Sequence, residues 1–258
     1  MDKNLIKEAA QIIKNSKHLT AFTGAGISVE SGIPPFRGPQ GLWNTIDPTF
    51  IEISYFNTHY EDSWKDIKKI FYDFFGQAKP NPAHLALAEL EKMGILKAVI
   101  TQNIDNLHQE AGSKVVYEFH GTASTLLCLH CYERFAAQDF SFETMPPKCP
   151  KCGGKIKPDF IFYGEGIPDK PYRLSLEEAN EADVFLVIGT TGEVMPACMI
   201  PQLARQRGAK VIEINISPSA LTRSTTTHFL QGKAGEIMAE LLKEVKGERL
   251  TKKCFQMY

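Results

Sequence analysis

The chain has 258 residues, of which 43% are hydrophobic and 23% are charged, and its formal net charge is −1 at pH 7. This is the composition of an ordinary globular protein, and the length suits one large α/β domain or one domain with a modest insertion. A charge so close to neutrality gives no electrostatic basis for general binding to nucleic acid or to an anionic membrane. We therefore expect no nucleic-acid partner and no membrane partner.

The N-terminal sequence and the cysteines bear on the cellular location. Residues 1–19 carry dispersed charges and no apolar run of signal-peptide length. The longest apolar stretches, such as Val184–Ile188, have the length of a strand and are too short to span a bilayer. Four of the six cysteines form two C-x-x-C pairs, whereas Cys198 and Cys254 are not placed to pair by any spacing rule. We therefore expect bound metal rather than disulfides, and a reducing, cytoplasmic location.

The first third of the chain predicts a helix, a strand and a long loop, in this order. Residues 2–17 have apolar side chains at helical spacing. Leu19–Thr23 is a short apolar strand that continues into Gly24-Ala25-Gly26. Residues 28–38 are dense in glycine and proline, which is typical of a functional loop. Residues 48–79 are rich in aromatic side chains and are predicted to form a helical insertion.

From residue 81 onward, strands and helices alternate around a cysteine-rich segment at 124–158. Pro82 lies in the first turn of a helix predicted at 81–92, a position that favours helix initiation. The further predicted strands are 98–101, 115–119, 184–188 and 210–214, and the further predicted helices are 174–181, 200–207 and 234–246.

Apolar strands that alternate with helices indicate a parallel sheet with helices on both faces. We therefore predict an α/β fold with a Rossmann-like parallel sheet, together with a small domain made of a zinc ribbon and a helical insertion. The predicted Rossmann-like domain comprises 1–36, 81–123 and 159–258, and the small domain comprises the helical module 37–80 and the zinc-ribbon module 124–158.

Four of the predicted strands end in glycine-rich or polar residues, which is where an open parallel sheet binds its ligands. These ends are Gly24-Ala25-Gly26, Gln102-Asn103-Ile104-Asp105, Gly189-Thr190-Thr191 and Asn215. Gly24 and Gly26 would let the backbone approach a pyrophosphate closely. The tripeptide alone suits a tight turn equally well, because Val29 stands where the dinucleotide fingerprint has its third glycine. The four strand ends together favour a nucleotide site.

Cys128, Cys131, Cys149 and Cys152 have the spacing of a four-thiolate zinc site, with seventeen residues between the two C-x-x-C pairs. Two such pairs close a tetrahedron and leave no position open for water, so we predict one structural Zn²⁺. Four reduced cysteines without metal are the disfavoured alternative. His130 lies inside the first pair and is expected to face solvent, because four thiolates already suffice.

Several motifs follow one another in an order that identifies a family. They are Thr23-Gly24-Ala25-Gly26-Ile27-Ser28, Gly32-Ile33-Pro34, Phe36-Arg37-Gly38, Thr101-Gln102-Asn103-Ile104-Asp105-Asn106-Leu107-His108, Phe119-His120-Gly121, the two cysteine pairs, Tyr163-Gly164-Glu165 and Gly189-Thr190-Thr191. In this combination residues 4–245 closely resemble the sirtuins.

The resemblance implies a NAD-dependent protein-lysine deacylase with NAD⁺ as co-substrate and acylated lysine in proteins or peptides as substrate. In the implied reaction the acyl oxygen attacks C1′ of the nicotinamide ribose, nicotinamide leaves, and 2′-O-acyl-ADP-ribose is formed. His120 would be the general base, and Asn103 would position ribose and water. The residue type agrees with this role of His120, because imidazole exchanges a proton near neutral pH.

The resemblance also implies the cofactor contacts. Asp105 matches the contact to the nicotinamide carboxamide, and Phe36 matches the aromatic that covers the nicotinamide pocket. From the residues alone, Asp105 is equally a helix cap, Phe36 a loop anchor and Arg37 a solvated charge. The matching positions are Gly24, Ala25, Gly26, Ser28, Ile33, Phe36, Arg37, Gln102, Asn103, Asp105, His120, Gly189, Thr190, Thr191, Asn215, Lys233 and Ala234.

In this family the substrate peptide adds as a strand between two segments, a mode that relies on backbone hydrogen bonds. The matching residues are Ile161, Tyr163, Gly164, Glu165, Gly192, Glu193, Val194 and Met195. Pro35 departs from the aspartate of many sirtuins, so we expect a different conformation of the cofactor loop. Gly192-Glu193 replaces a bulky apolar pair and gives the peptide an acidic neighbour.

The helical insertion also lacks the Tyr and Arg with which desuccinylating relatives hold an acidic acyl tail. The matching segment reads Lys68-Lys69-Ile70-Phe71-Tyr72-Asp73-Phe74-Phe75. One hypothesis is an apolar, roomy acyl pocket that accepts groups longer than acetyl. The alternative of equal weight is that these aromatics form the core of the insertion itself.

Two other functions would use the same cofactor site. A NAD-dependent protein mono-ADP-ribosyltransferase passes ADP-ribose to a protein side chain, and a NAD or ADP-ribose sensor binds without catalysis. The presence of His120, Asn103 and Asp105 speaks against the sensor. A hydride-transfer dehydrogenase is disfavoured, because no acidic residue follows the glycine loop at the expected ribose position. The sequence leaves the protein substrates and the oligomeric state open, and we expect a monomer.

Overall fold

A parallel six-stranded sheet forms the centre of the larger domain in the computed structural model, which describes residues 2–38 and 41–247. In chain order the strands are β1 (Leu19–Thr23), β2 (Leu96–Thr101), β3 (Val116–Glu118), β4 (Gly121–Cys128), β5 (Arg134–Ala136), β6 (Ile156–Phe160), β7 (Val184–Ile188), β8 (Lys210–Asn215) and β9 (His228–Gln231). The large sheet has the order β3-β2-β1-β7-β8-β9. Cys254 and the rest of 248–258, predicted as part of the Rossmann-like domain, lie outside the described residues.

Helices cover both faces of this sheet. In chain order they are α1 (Lys3–Lys14), α2 (Ile53–Thr58), α3 (Tyr60–Ile67), α4 (Pro82–Lys92), α5 (Leu107–Glu110), α6 (Asp169–Glu181), α7 (Met199–Gln206) and α8 (Ala234–Lys246). Short 3-10 helices lie at Ala25–Ser31, Leu42–Asn44, Pro48–Ile51, Phe75–Gln77 and Ala137–Asp139, and a π-helical segment at Lys68–Phe74. Helices α1, α4 and α8 pack on one face, and α6 and α7 pack on the other. Within the described ranges, no helix is both long and apolar enough to cross a membrane.

The chain changes direction across the sheet between β1 and β7, which are parallel neighbours. From β1 the chain proceeds through β2 to β3 on one side, and from β7 through β8 to β9 on the other. In open α/β sheets ligands bind at the carboxyl ends of the strands at such a switch point. Gly24 follows β1 directly and Gly189 follows β7 directly, so the glycine-rich ends lie side by side at this point.

The small domain has a hydrophobic core of its own, formed by the antiparallel sheet β5-β4-β6 and the helical segments of 42–77. Trp64 of α3 is fully buried, and its indole Nε1 donates to the carbonyl of Ile156 at 2.9 Å. The hydroxyl of Tyr60 donates to the carbonyl of Pro147 and accepts from the amide of Ile156. These bonds join the helical module to the ribbon, so the two modules share one core.

Three differences between the predicted and the observed elements have a local physical cause. Helix α6 begins at Asp169 rather than at 174, because Pro171 in its first turn needs no intrahelical donor. The loop predicted from 28 is wrong at its start, since Ala25–Ser31 is a 3-10 helix that ends at Gly32 with φ of 90°. Strand β9 was not predicted, because it is short and acquires its structure by pairing with β8 at the sheet edge.

Candidate functional site

The loops that follow β1 and β7 lie in direct contact. The amide of Gly26 donates to the carbonyl of Gly189 at 2.8 Å, and that of Gly24 donates to Ile188 at 3.0 Å. A Cβ atom at Gly26 would lie 2.6 Å from the Cα of Gly189, which is closer than non-bonded atoms tolerate. These contacts support the tight-turn interpretation of the two glycines, and their approach to a pyrophosphate stays a prediction.

Thr190 connects the ends of several strands. Its hydroxyl accepts from Nε2 of Gln102 at 3.1 Å and from the amide of Gly192 at 3.2 Å. Its carbonyl accepts from Nδ2 of Asn215 at 2.9 Å. Because Gln102 follows β2 and Asn215 ends β8, the structure brings together all four strand ends singled out in the sequence. Thr191 comes next in the chain with an exposed side chain.

A small cavity opens beside these strand ends. It is lined by Ala25, Ser28, Ile33, Phe36, Phe75, Asn103, Ile104 and Asp105. The hydroxyl of Ser28 donates to Oδ2 of Asp105 at 2.6 Å, and Nδ2 of Asn103 donates to Ser28 and to the carbonyl of Gly24, each at 3.2 Å. The other oxygen of Asp105 accepts from the amide of Leu107 at 3.1 Å. Asp105 therefore lines the cavity and bonds to the amide of the first residue of α5, whose N-cap residue is Asn106.

The chemistry of this cavity fits a nicotinamide group. Burial raises the pKa of Asp105 above its ordinary value, while the hydrogen bonds from Ser28 and Leu107 act in the opposite direction. Ile33 and Phe36 supply apolar walls for a flat ring. A carboxyl group beside such walls accepts the N–H donors of a ring carboxamide. The donor and acceptor set is therefore compatible with NAD⁺.

His120 follows β3 and lies against the residue that follows β2. Its Nδ1 is 3.0 Å from the carbonyl oxygen of Gln102, which can only accept, so Nδ1 carries the proton and Nε2 presents a lone pair. Burial lowers the pKa of His120 below the ordinary 6.5, the Gln102 carbonyl opposes this, and the charge of Arg37 lowers it further. The imidazole is therefore neutral at pH 7, and Nε2 can accept a proton.

The loop after the first 3-10 helix links the cavity to the small domain. The ring of Phe36 stacks on Trp43 with 5.2 Å between centroids and meets Phe75 edge-on at 6.3 Å. The carbonyl of Pro35 accepts from the amide of Leu42 at 2.8 Å. Phe36 thus lines the cavity and also anchors its loop. Its contacts agree with a loop anchor, and its place in the cavity is compatible with the predicted cover of the nicotinamide pocket.

Lys233 and Ala234 stand at the start of α8. The Lys233 side chain is exposed, with Nζ 3.7 Å from Oε1 of Glu236, whereas Ala234 is buried. The amide of Gly235 donates to Oε2 of Glu30 at 2.6 Å. Because Glu30 belongs to the 3-10 helix that carries Ala25 and Ser28, this bond places the start of α8 beside the cofactor loop.

The first of the two segments predicted to bind the peptide, 161–165, is attached to both domains. The amide of Ile161 donates to the carbonyl of His120 at 2.9 Å. Tyr163 pairs through its amide and its carbonyl with 51–53, at 2.9 and 3.0 Å. Gly164 is exposed, and neither its amide nor its carbonyl has a hydrogen-bond partner among the described residues.

The second segment begins at Gly192, where φ is 70°. A Cβ atom there would lie 2.6 Å from Cγ of Leu221, which explains why no bulky residue stands at this position. Glu193 and Met195 are exposed and Val194 is half-buried. Glu193 forms no ion pair within the described part of the chain.

The four cysteines of the ribbon form a compact cluster in which all Sγ atoms lie within 4.8 Å of one another. The Sγ atoms of Cys128 and Cys152 are 3.6 Å apart, and those of Cys131 and Cys149 are 3.7 Å apart. Thiolates at the usual zinc distance on a tetrahedron are about 3.8 Å apart. The cluster therefore fits a structural Zn²⁺. His130 is exposed, as the sequence predicts.

Sequence reasoning missed three residues at or near the site. Ile104 lines the cavity and could have been found from its place between Asn103 and Asp105. Phe75 also lines it, but no spacing separates it from the other aromatics of the insertion. Lys157 of β6 is only 3% exposed and contacts the first peptide segment, whereas its sequence context resembles that of a surface lysine.

The fold and the site define a Rossmann-like nucleotide-binding protein with a four-cysteine zinc module, and comparison with known proteins specifies the family. The model of the Sir2 family matches residues 24–196. The NAD-dependent protein deacylase 2 of Pyrobaculum aerophilum is 44% identical over 243 residues, which are 92% of this chain and 94% of that protein. The chain belongs to the Sir2 family.

Two solved complexes are similar over nearly the whole chain. A Sir2 homologue bound to NAD has a TM-score of 0.85 at 41% identity and covers 96% of this chain and 94% of its own. A Sir2 complex with a p53 peptide and NAD⁺ has a TM-score of 0.85 at 33% identity and covers 93% of this chain and 98% of its own. The similarity to the p53 peptide complex includes the small domain, because it extends over almost all of the sequence.

Removal of zinc should destabilise the small domain, because a structural site contributes its binding free energy to folding. We expect a chelator, or the Cys131→Ser variant, to lower the melting temperature by roughly 5 °C or more. Calorimetry together with metal analysis measures this. Cys198→Ser, outside the cluster, is the control and should keep one zinc per chain. A wild-type protein that melts unchanged in the chelator would contradict the structural role.

Gly26→Ala should destabilise the larger domain, because the added methyl group meets the Gly189 backbone, which cannot rotate away. We expect a loss of about 2 kcal/mol in the free energy of unfolding, measured with urea. Gly76→Ala is the matched control, since a Cβ atom there has no neighbour within 4 Å. Equal stability of the two variants would show that the β1–β7 contact does not require glycine.

Proposed function

We propose that this protein removes acyl groups from protein lysine side chains with NAD⁺ as co-substrate. The observation that carries the proposal is the cavity at the β1–β7 switch point, lined by Asn103 and Asp105, together with His120, whose Nδ1 lies 3.0 Å from the carbonyl of Gln102 at the adjacent strand end. The name of the Pyrobaculum aerophilum relative, NAD-dependent protein deacylase 2, supports it. NAD⁺ supplies the ribose carbon to which the acyl oxygen is transferred as nicotinamide leaves.

In this proposal the nicotinamide end of the co-substrate occupies the cavity, with its carboxamide at Asp105. The phosphates and the adenosine end extend along Gly24, Thr190 and Asn215 towards the start of α8. The exposed Lys233 at the start of α8 supplies a positive charge that can contact a phosphate, whereas the Gly235 amide is already bonded to Glu30.

His120 is proposed to act as the general base that takes a proton from a ribose hydroxyl. Its Nδ1 is committed to Gln102, so Nε2 is the acceptor. Burial lowers the pKa of His120 and so disfavours the imidazolium form, and the charge of Arg37 adds to this effect. Asn103 uses its Nδ2 within the protein, which leaves Oδ1 to orient ribose or water. A base that is neutral at working pH is the form general-base catalysis requires.

The acylated peptide is proposed to bind as a strand between 161–165 and 192–195. The unpaired amide and carbonyl of Gly164 provide one edge. Glu193 provides the other, since its backbone groups also have no partner in the described ranges. The solved Sir2 complex with a p53 peptide supports a peptide as the substrate. Binding of this kind selects weakly for sequence, because it uses the backbone.

The aromatics of the helical insertion bear on the choice of acyl group. Phe71 is buried against Phe160 and Phe75, with centroids 4.9 and 5.5 Å apart, so it belongs to the core of the small domain. Lys68 is paired with Asp73 at 2.8 Å. These contacts make Phe71 part of the structural core, whereas Phe75 also lines the cavity and no arginine stands in the segment. We propose that acetyl and longer apolar acyl groups are accepted and that succinyl is disfavoured.

The alternative functions have less support. A mono-ADP-ribosyltransferase would use the same cavity, but the two open strand edges suit an extended peptide, and the relatives carry deacylase names. A sensor has no use for a histidine held in one tautomer. We further infer a monomer in a reducing cytoplasm, without nucleic-acid or membrane partners, and the near-neutral charge and the four thiols support this inference.

His120→Ala should lower kcat by about 10²–10⁴-fold, the usual contribution of a general base, with NAD⁺ binding changed much less. The test incubates an acetyl-lysine peptide with NAD⁺ and identifies products by mass spectrometry. His130→Ala, in the ribbon, is the control and should keep full activity. Full activity of His120→Ala would contradict the mechanism, and an ADP-ribosylated protein as main product would favour the transferase.

One peptide carrying acetyl-, butyryl-, decanoyl- or succinyl-lysine tests the acyl preference. We expect kcat/KM for succinyl to be at least about tenfold lower than for acetyl, because its carboxylate would be desolvated without a cation. A butyryl peptide, which has the same four carbons but is apolar, is the matched control for length, and the decanoyl peptide tests whether a long apolar chain is accepted. Preferential turnover of the succinyl peptide would overturn the proposed specificity.

A further inference from the structure

A buried ammonium group lies directly beneath the first peptide segment. Lys157 is 3% exposed, and its Nζ donates to the carbonyl of Phe160 at 2.8 Å. The same atom lies 3.0 Å from Oε2 of Glu165 and 4.5 Å from the ring centroid of Phe162. One cation therefore contacts the beginning, the middle and the end of 160–165. A charge is rarely buried to this extent unless its partners are held in place.

The Glu165 carboxylate links the Lys157 ammonium to the backbone of 160–165. Its Oε2 accepts from the amide of Phe162 at 2.7 Å as well as from Lys157. The amide of Glu165 donates to the carbonyl of Phe162 at 3.0 Å. Both backbone groups of Phe162 are thus bonded inside the segment, and Glu165 stays in position because Lys157 neutralises it.

The remaining backbone groups show what this arrangement presents to a ligand. The amide and the carbonyl of Tyr163 are both bonded to the backbone of 51–53. Gly164 then remains, with φ of 92° and both of its backbone groups unpartnered in the described part of the chain. Loss of the ammonium would leave the Phe160 carbonyl and the Glu165 carboxylate without their cation, and the turn at Gly164 would lose its support.

We propose that Lys157 is a positioning residue for the acylated peptide, which holds 161–165 in the conformation that exposes the Gly164 backbone for strand pairing. This inference rests on the proposed function and adds to it a residue that touches neither substrate. It predicts an effect on the peptide and not on NAD⁺, because Lys157 contacts the peptide segment and none of the cavity residues.

The test is steady-state kinetics with an acetyl-lysine peptide and NAD⁺, each varied separately. Lys157→Met should raise the peptide KM by about tenfold or more, the effect of a lost charge-assisted contact, with kcat and the KM for NAD⁺ within about twofold. Lys157→Arg, which retains the charge, should recover most of the loss. Lys155→Met is the control, because Lys155 is exposed and bonds to the carbonyl of Asn57 instead.

A double-mutant cycle with Glu165→Gln keeps the inference testable if Lys157→Met folds poorly. If the two residues act as a pair, the double variant should be no worse for the peptide KM than the worse single variant. Strictly additive effects, or a folded Lys157→Met with an unchanged peptide KM, would overturn the inference. A wild-type enzyme that does not turn over the peptide would instead contradict the proposed function.

Discussion

The backbone contact between Gly26 and Gly189 is the constraint from which the site geometry follows. Adjacent parallel strands bring their ends close, but side chains usually keep the following loops apart. Here two glycines let the loops after β1 and β7 lie on each other with an amide–carbonyl bond of 2.8 Å. Thr190 is placed by that contact and in turn holds Gln102 and Asn215. The polar groups are therefore preorganised by backbone packing before a ligand binds.

Burial at this point shifts the pKa values of two titrating groups in opposite directions, and both shifts favour the uncharged form. It raises the pKa of Asp105 and lowers that of His120, because a low-dielectric environment disfavours either charge. Hydrogen bonds from Ser28 and Leu107 oppose the shift at Asp105, and the Gln102 carbonyl opposes the shift at His120. For a reaction that generates positive character on a sugar, a neutral base avoids repelling it. Arg37, which is exposed, contributes to keeping His120 in that form.

Local patterns located most of the fold, and long-range contacts account for what they missed. Strands β1, β2, β7 and β8 are apolar runs followed by polar residues, so the sequence alone places both the sheet and the edge that carries the site. Residue roles came from the family resemblance, since spacing does not tell a base from a structural histidine. Phe75 and Lys157 escaped detection because their environments are made by segments far away in the chain: the small-domain fold brings Phe75 to the cavity, and 160–165 folds back over Lys157.

One continuous aromatic core of the small domain connects the loop of Phe36 to the segment that begins at residue 161. Phe36 of the cofactor loop stacks on Trp43, which packs against Phe50, then Phe71, then Phe160 at the end of β6. The peptide segment begins at the next residue. Because β4 and β6 also frame the cysteine cluster, a metal with no open coordination position can still matter for activity. It does so by keeping rigid the core on which the cofactor loop and the peptide segment both rest.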